Sequence, residues 1–149
     1  MAATAGLRAE AGRIPGERIA TTVATSDSST FTTSETQIMS VTASVVTGRT
    51  YRLRFVGRLS TTTAGDQGVA RLRETNTSGT ELQSAVVDST NTSGTLGTNP
   101  LLMEVEWTAS STGSQTWIAS AFRNSGSGTW HMEAGSNRPN YLYVDYIRN

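Results

Sequence analysis

Tyr51-Arg52-Leu53-Arg54-Phe55-Val56-Gly57-Arg58-Leu59 is the stretch whose reading decides the fold. Tyr51, Leu53 and Phe55 alternate with Arg52, Arg54 and Arg58. That is the period of two by which a strand sends successive side chains to opposite faces. One face is apolar enough to enter a core. The other is cationic except at Val56, which sits among the arginines.

The same rhythm continues on both sides. Toward the C-terminus, Ala70 and Leu72 oppose Arg71 and Arg73 within 67–74, and 81–87 follows. Leu101, Met103, Val105 and Trp107 then face in while Glu104 and Glu106 face out. Segments 115–122, 129–134 and 141–148 complete that half. Toward the N-terminus, 18–24 carries Ile19 and Val23, and 36–46 carries Ile38, Val41, Ala43 and Val45. Its alternation slips near Met39–Ser40, which predicts a bulge. Turns rich in Asn, Ser, Thr and Gly separate the runs, and Asn-Thr-Ser-Gly-Thr occurs at 76–80 and again at 91–95. Two similar turns explain the repeat, because these residues accept turn geometry cheaply. Eight or nine short strands without a helix between them mean a sandwich or a barrel. The expectation is an all-β, two-sheet antiparallel sandwich, jelly-roll-like, over 18–149. Residues 1–17, rich in Ala and Gly with a thin apolar stripe of Leu7, Ala11 and Ile14, read as an N-terminal arm that orders only against a partner.

Composition narrows the function. A chain of 149 residues can enclose one core. It has no cysteine, so no disulfide framework and no thiolate metal site. Ser and Thr number 43, lysine is absent, and all 12 basic residues are arginine. Formal net charge is zero, leaving no field to gather nucleic acid. No apolar run approaches the roughly 18 residues of a membrane span. No basic-then-apolar leader is visible, so synthesis in the cytoplasm is expected.

Candidate chemistry is sparse. His131 is the one histidine and needs a serine beside it to act as a base. Glu104 and Glu106 share a strand face about 7 Å apart, near a glycosidase separation. A solvent face gives neither the raised nor the split pKa that reaction requires. A polar outer face, paired with Arg52, Arg54, Arg71 or Arg73 on neighbouring strands, is the better reading. Asp27, Asp66 and Asp88 lack the spacing of a calcium loop. No phosphate-binding loop is present. Trp107, Trp130 and the C-terminal tyrosines alternate in phase with core residues; Trp117 is the best candidate for an exposed aromatic. No cofactor, no metal and no catalytic residue are expected.

Gly12-Arg13-Ile14-Pro15-Gly16-Glu17-Arg18, Gly48-Arg49-Thr50-Tyr51-Arg52-Leu53-Arg54-Phe55, Ala70-Arg71-Leu72-Arg73-Glu74-Thr75-Asn76, Ser111-Thr112-Gly113-Ser114-Gln115-Thr116 and Arg138-Pro139-Asn140-Tyr141-Leu142-Tyr143-Val144-Asp145-Tyr146 together resemble small β-sandwich virion proteins of phages that infect actinobacteria. These are of head decoration, head fibre or minor tail type. The resemblance covers nearly the whole chain and carries no catalytic signature. It implies a capsid decoration subunit that binds the major capsid protein and stabilises the assembled head in the virion. The alternatives are a minor tail or fibre-tip protein among tail proteins, and then a carbohydrate-binding module. On the decoration reading, Arg8, Arg13, Ile14 and Arg18 would dock on the shell. A homo-oligomer is expected from strands with large groups on both faces; the resemblance makes it a trimer, with Arg52, Arg54, Arg71, Arg73, Glu104 and Glu106 at the contact.

Overall fold

Residues 51–59 lie in a strand that is paired on both sides. The computed structural model describes residues 15–89 and 97–148; Arg8, Arg13, Ile14 and the second Asn-Thr-Ser-Gly-Thr lie outside them. The strands are β1 (Arg18–Ala24), β2 (Thr36–Val45), β3 (Thr50–Thr61), β4 (Gln67–Glu74), β5 (Glu81–Asp88), β6 (Gly97–Thr108), β7 (Gly113–Ser125), β8 (Trp130–Met132) and β9 (Asn140–Arg148). All pairings are antiparallel. They are nested: β1 with β9, β2 with β7, β3 with β6, β4 with β5. Two further pairings, β9 with β3 and β7 with β4, roll this long hairpin into two sheets. Their orders are β1-β9-β3-β6 and β2-β7-β4-β5, with β8 added beside the far end of β3. Eight strands wrapped this way are a jelly roll, so the expected sandwich is present with its topology.

Alternation dictates what lies between the sheets. Tyr51, Leu53, Phe55 and Leu59 of β3 are wholly buried, as are Leu142 and Val144 of β9 and Trp117 and Ala121 of β7. Trp117 meets Trp107 edge to face at 5.2 Å between centroids. The Tyr51 hydroxyl accepts the Val46 N–H at 2.9 Å, giving a buried aromatic its polar partner. Across the layer, the Trp107 indole N–H donates to Glu74, tying β6 of one sheet to the end of β4 in the other.

Two expectations change. Trp117 is not exposed but 0% accessible: β7 is the second strand of a four-stranded sheet and both its faces are covered. On its outer face Ile118 is also 0% accessible and lies in register opposite Arg73. The bulge falls between Gln37 and Met39, slightly earlier than Met39–Ser40. Ile38 and Met39 are consecutively buried there, which a regular strand cannot do.

Gly57 has an ordinary strand backbone but no room. A Cβ built on it would lie 2.4 Å from Cζ of Phe55. Replacing a strand glycine with alanine normally stabilises through chain entropy by about 0.5–1 kcal/mol. Here Gly57→Ala is expected to destabilise by about 1–3 kcal/mol through overpacking. Urea unfolding would measure this, and combining the change with Phe55→Leu should recover part of the loss.

Candidate functional site

Register across the β1-β9-β3-β6 sheet assembles its outer face into three rows. The first is Arg18, Asp145, Arg52, Glu106. Arg18 Nε lies 3.1 Å from Asp145 Oδ1, and Arg52 Nη2 lies 3.0 Å from Glu106 Oε1. Arg148 reaches the other Glu106 oxygen at 3.0 Å, and Arg52 Nε lies 3.3 Å from Glu104. The second row is Thr21, Tyr143, Arg54, Glu104. Arg54 donates to the Tyr143 hydroxyl at 2.9 Å and pairs with Glu104. These hydrogen bonds, Tyr143 first and then Glu104, hold its guanidinium even more firmly charged than usual. The Arg18 guanidinium lies 3.5 Å from the centroid of the Tyr143 ring. Each such surface pair is worth about 0–1 kcal/mol, so these rows decorate the fold rather than hold it.

The third row is apolar: Val23, Tyr141, Val56, Leu102. Val23 is 49% exposed, Val56 37% and Leu102 65%. The row borders a shallow groove lined by Arg58, Pro100, Pro139 and Asn140 among others. These four apolar side chains lie in register across four strands, a contiguous row rather than scattered exposure.

The outer face of the second sheet carries a different cluster. Glu35, in the connection between β1 and β2, accepts from Arg71 Nη1 at 2.7 Å, Arg73 Nε at 2.6 Å and Nη2 at 3.0 Å, and Ser120 Oγ at 2.5 Å. Glu81 lies 2.9 Å from Arg71 Nε. Burial pushes the Glu35 carboxyl up, but the hydrogen bonds from Arg73, Ser120 and Arg71 outweigh it and hold its pKa below the ordinary value of 4.5. The cluster clamps the β1–β2 connection onto β4 and β7.

The six residues expected at one oligomer contact are therefore divided. Arg52, Arg54, Glu104 and Glu106 share the first sheet and pair with one another. Arg71 and Arg73 lie on the opposite outer face and are held by Glu35 and Glu81. A contact containing both groups would have to join different faces of two neighbouring copies, head to tail. Arg18, expected to meet shell carboxylates, has a carboxylate partner in Asp145. Glu74 accepts from Trp107.

For chemistry, register places Ser60 opposite His131, and His131 Nε2 lies 3.8 Å from Asp27 Oδ2. Ser60 is fully buried and its hydroxyl makes no hydrogen bond, so serine and histidine form no nucleophile-base pair. Asp66 is buried too. It accepts from Thr61 Oγ1 at 3.0 Å and the N–H groups of Ser127 and Gly128 at 3.0 and 2.9 Å, fastening the β7–β8 turn. Among the described residues no cluster of three His, Asp or Glu could hold a metal. Neither the Glu35 clamp nor the Asp66 anchor was visible in sequence, since neither has a local motif. The apolar row left a partial trace in Val56 and in the double-sided 141–147 segment.

No protein-family model matches the chain, and no curated protein sequence matches it. Among solved structures, a carbohydrate-binding module of lichenase 5A from Cellvibrio mixtus, in complex with cellotriose, is similar at 14% identity and a TM-score of 0.43. The match covers 87% of this chain and 98% of that one. The VP2 subviral particle of infectious bursal disease virus is similar at 17% identity and a TM-score of 0.38, over 90% of this chain and 38% of that one. The jelly-roll assignment rests on the strand order and not on these likenesses.

Glu35→Gln is expected to lower stability by about 1–3 kcal/mol at neutral pH, the cost of losing a charged hydrogen-bond acceptor. Because the folded carboxyl titrates below its unfolded value, its contribution is full above pH 4.5 and disappears as pH falls through the folded pKa. Urea midpoints of the two proteins across pH should therefore converge on the acid side.

Proposed function

We propose that the chain is a non-catalytic structural subunit of a bacteriophage particle, a decoration protein that attaches to the assembled head. The observation that carries the reading is the apolar third row, Val23, Tyr141, Val56 and Leu102, in register across one outer face. That row leaves apolar area for another protein to cover, whereas the neighbouring charged groups pair within the chain. The resemblance of the strand and turn segments to actinobacterial phage virion proteins supplies the particle. Attachment makes and breaks no covalent bond. It adds buried area where shell proteins meet, and mass action favours the assembly that binds the subunit.

The arm is the anchor in this reading, with Ile14 entering an apolar site on the major capsid protein and Arg8 and Arg13 pairing with its carboxylates. Arg18 acts at the root. Its guanidinium is taken by Asp145, and the Gly16 N–H donates to the Tyr146 carbonyl at 2.6 Å while the Tyr146 N–H donates to Glu17 at 2.8 Å. The root of the arm is thus stitched to β9, so a pull on the arm is carried into the sheet.

Deletion of residues 1–14 keeps that stitching and should leave the unfolding midpoint unchanged while weakening co-sedimentation with heads that lack the subunit. Equal binding by the truncated chain would remove the arm from the account. Binding to purified tails in preference to heads would favour a minor tail protein, and saturable binding on a glycan array would favour a carbohydrate-binding module.

A further inference from the structure

We propose that the outer face of the β1-β9-β3-β6 sheet binds a second copy of this chain, as a two-fold homodimer whose axis runs parallel to the strands between β9 and β3. The inference rests on reading that face as a protein-contact surface and goes further by naming its occupant.

The order of residues within the rows favours this pairing. When two identical faces pack on each other, the two-fold axis lies in the plane between them. An axis parallel to the strands lays each row on itself in reverse. The first row reads plus, minus, plus, minus: Arg18, Asp145, Arg52, Glu106. Reversed, it sets Arg18 over Glu106 and Asp145 over Arg52 of the second copy, opposite charges at all four positions. In the second row Tyr143 meets Arg54, and Thr21 meets Glu104. In the third, Val23 meets Leu102 and Tyr141 meets Val56, so exposed apolar groups cover one another.

The other in-plane axis, perpendicular to the strands, fails on the same rows. Run through the second row, it sets Arg54 on Arg54 and Glu104 on Glu104, and lays the ion pairs over the apolar row. Like charges and unpaired charges buried on apolar surface both oppose association. Within the three rows Arg18, Arg52 and Arg54 balance Asp145, Glu104 and Glu106; Arg148, which also reaches Glu106, adds one positive charge at the margin. A row that is its own complement when reversed fits itself; an unrelated partner has no use for that symmetry.

Packing along the strands is also the aligned geometry that two sheets adopt about 10 Å apart. The face is about 14 Å across its four strands and about 13 Å along its three rows, between Cα atoms. That footprint is below the standard size of stable interfaces, so the pairing is a weak, concentration-dependent one. An axis parallel to the strands preserves position along them. Both copies of Arg18, and so both arm roots, lie at the same end of the dimer and can reach one surface together. Two anchors on one body bind more tightly than one through effective concentration.

The test is sedimentation velocity of the full chain over a dilution series, for the natural protein, for Val23→Asp, for Leu102→Lys, and for an equimolar mixture of the two variants. Val23 and Leu102 are exposed at opposite ends of the row, so both variants should fold as the natural protein does, checked by unfolding midpoint. The expected result is a concentration-dependent dimer, weakened about tenfold or more in each variant alone, with recovery in the mixture as opposite charges meet across the axis. A monomer at every concentration, a trimer, or a dimer indifferent to both substitutions would overturn the proposal. Weakening in each variant without recovery on mixing would overturn this axis. None of these outcomes touches particle binding. A monomer that still co-sediments with heads would sink the pairing alone, and a dimer that ignores heads would sink the particle reading alone.

Discussion

The packing of the inner face of β3 is the constraint on which the rest depends. This strand is paired on one side by β6 along its whole length and on the other by β9 and then β8. Its Tyr51, Leu53, Phe55 and Leu59 are sealed between the sheets. A strand that is central in its sheet and filled on its inner face has one register available, because a slip of a single residue would drive Arg52, Arg54 and Arg58 into the core. Fixing β3 fixes β6 and β9 against it. Those in turn fix which residues of β1 stand beside Asp145, Tyr143 and Tyr141. The three rows of the outer face follow from that inner register.

This chain of dependence explains what was legible in sequence. The strands were, because alternation is local: each of the nine described strands coincides with a run that shows it or is bounded by turn residues. The identity of the inward set on β3 and β6 was legible for the same reason. Trp117 stood out as a candidate for exposure because alternation reports which residues share a face, not which face is covered, and on β7 both are. The Glu35 clamp joins a connection to arginines 36 and 38 residues away, through no pattern shorter than the fold. The arginines of β3 and β4 look equivalent in sequence, and only the assignment of their strands to different sheets separates them.

The two outer faces divide the molecule's polar chemistry by purpose. On the second sheet, carboxylate and guanidinium groups are half-buried around Glu35 and restrain a connection. On the first they are more exposed, weak as individual contacts, and ordered by register so that charge alternates along a row. The same pair of residue types therefore holds a connection in place on one side and forms an exposed, alternating row on the other. Burial decides which, since desolvation strengthens each contact and raises the penalty for breaking it.

The nested pairing has a consequence for how the molecule comes into being. Arg18 and Asp145 are 127 positions apart, and β1 has no partner until β9 has left the ribosome. Only the β4–β5 hairpin, at the centre of the nest, joins neighbours in sequence across a short turn. Each outer pair then closes a longer loop and loses more chain entropy before any contact repays it. Assembly proceeding outward from that hairpin would be slow, completed only after synthesis, with the strand edges of β1 and β2 unpaired in the interval. Both strands also end their sheets in the finished fold, so edges that carry few charges are open to association while the chain is being made and remain edges afterwards.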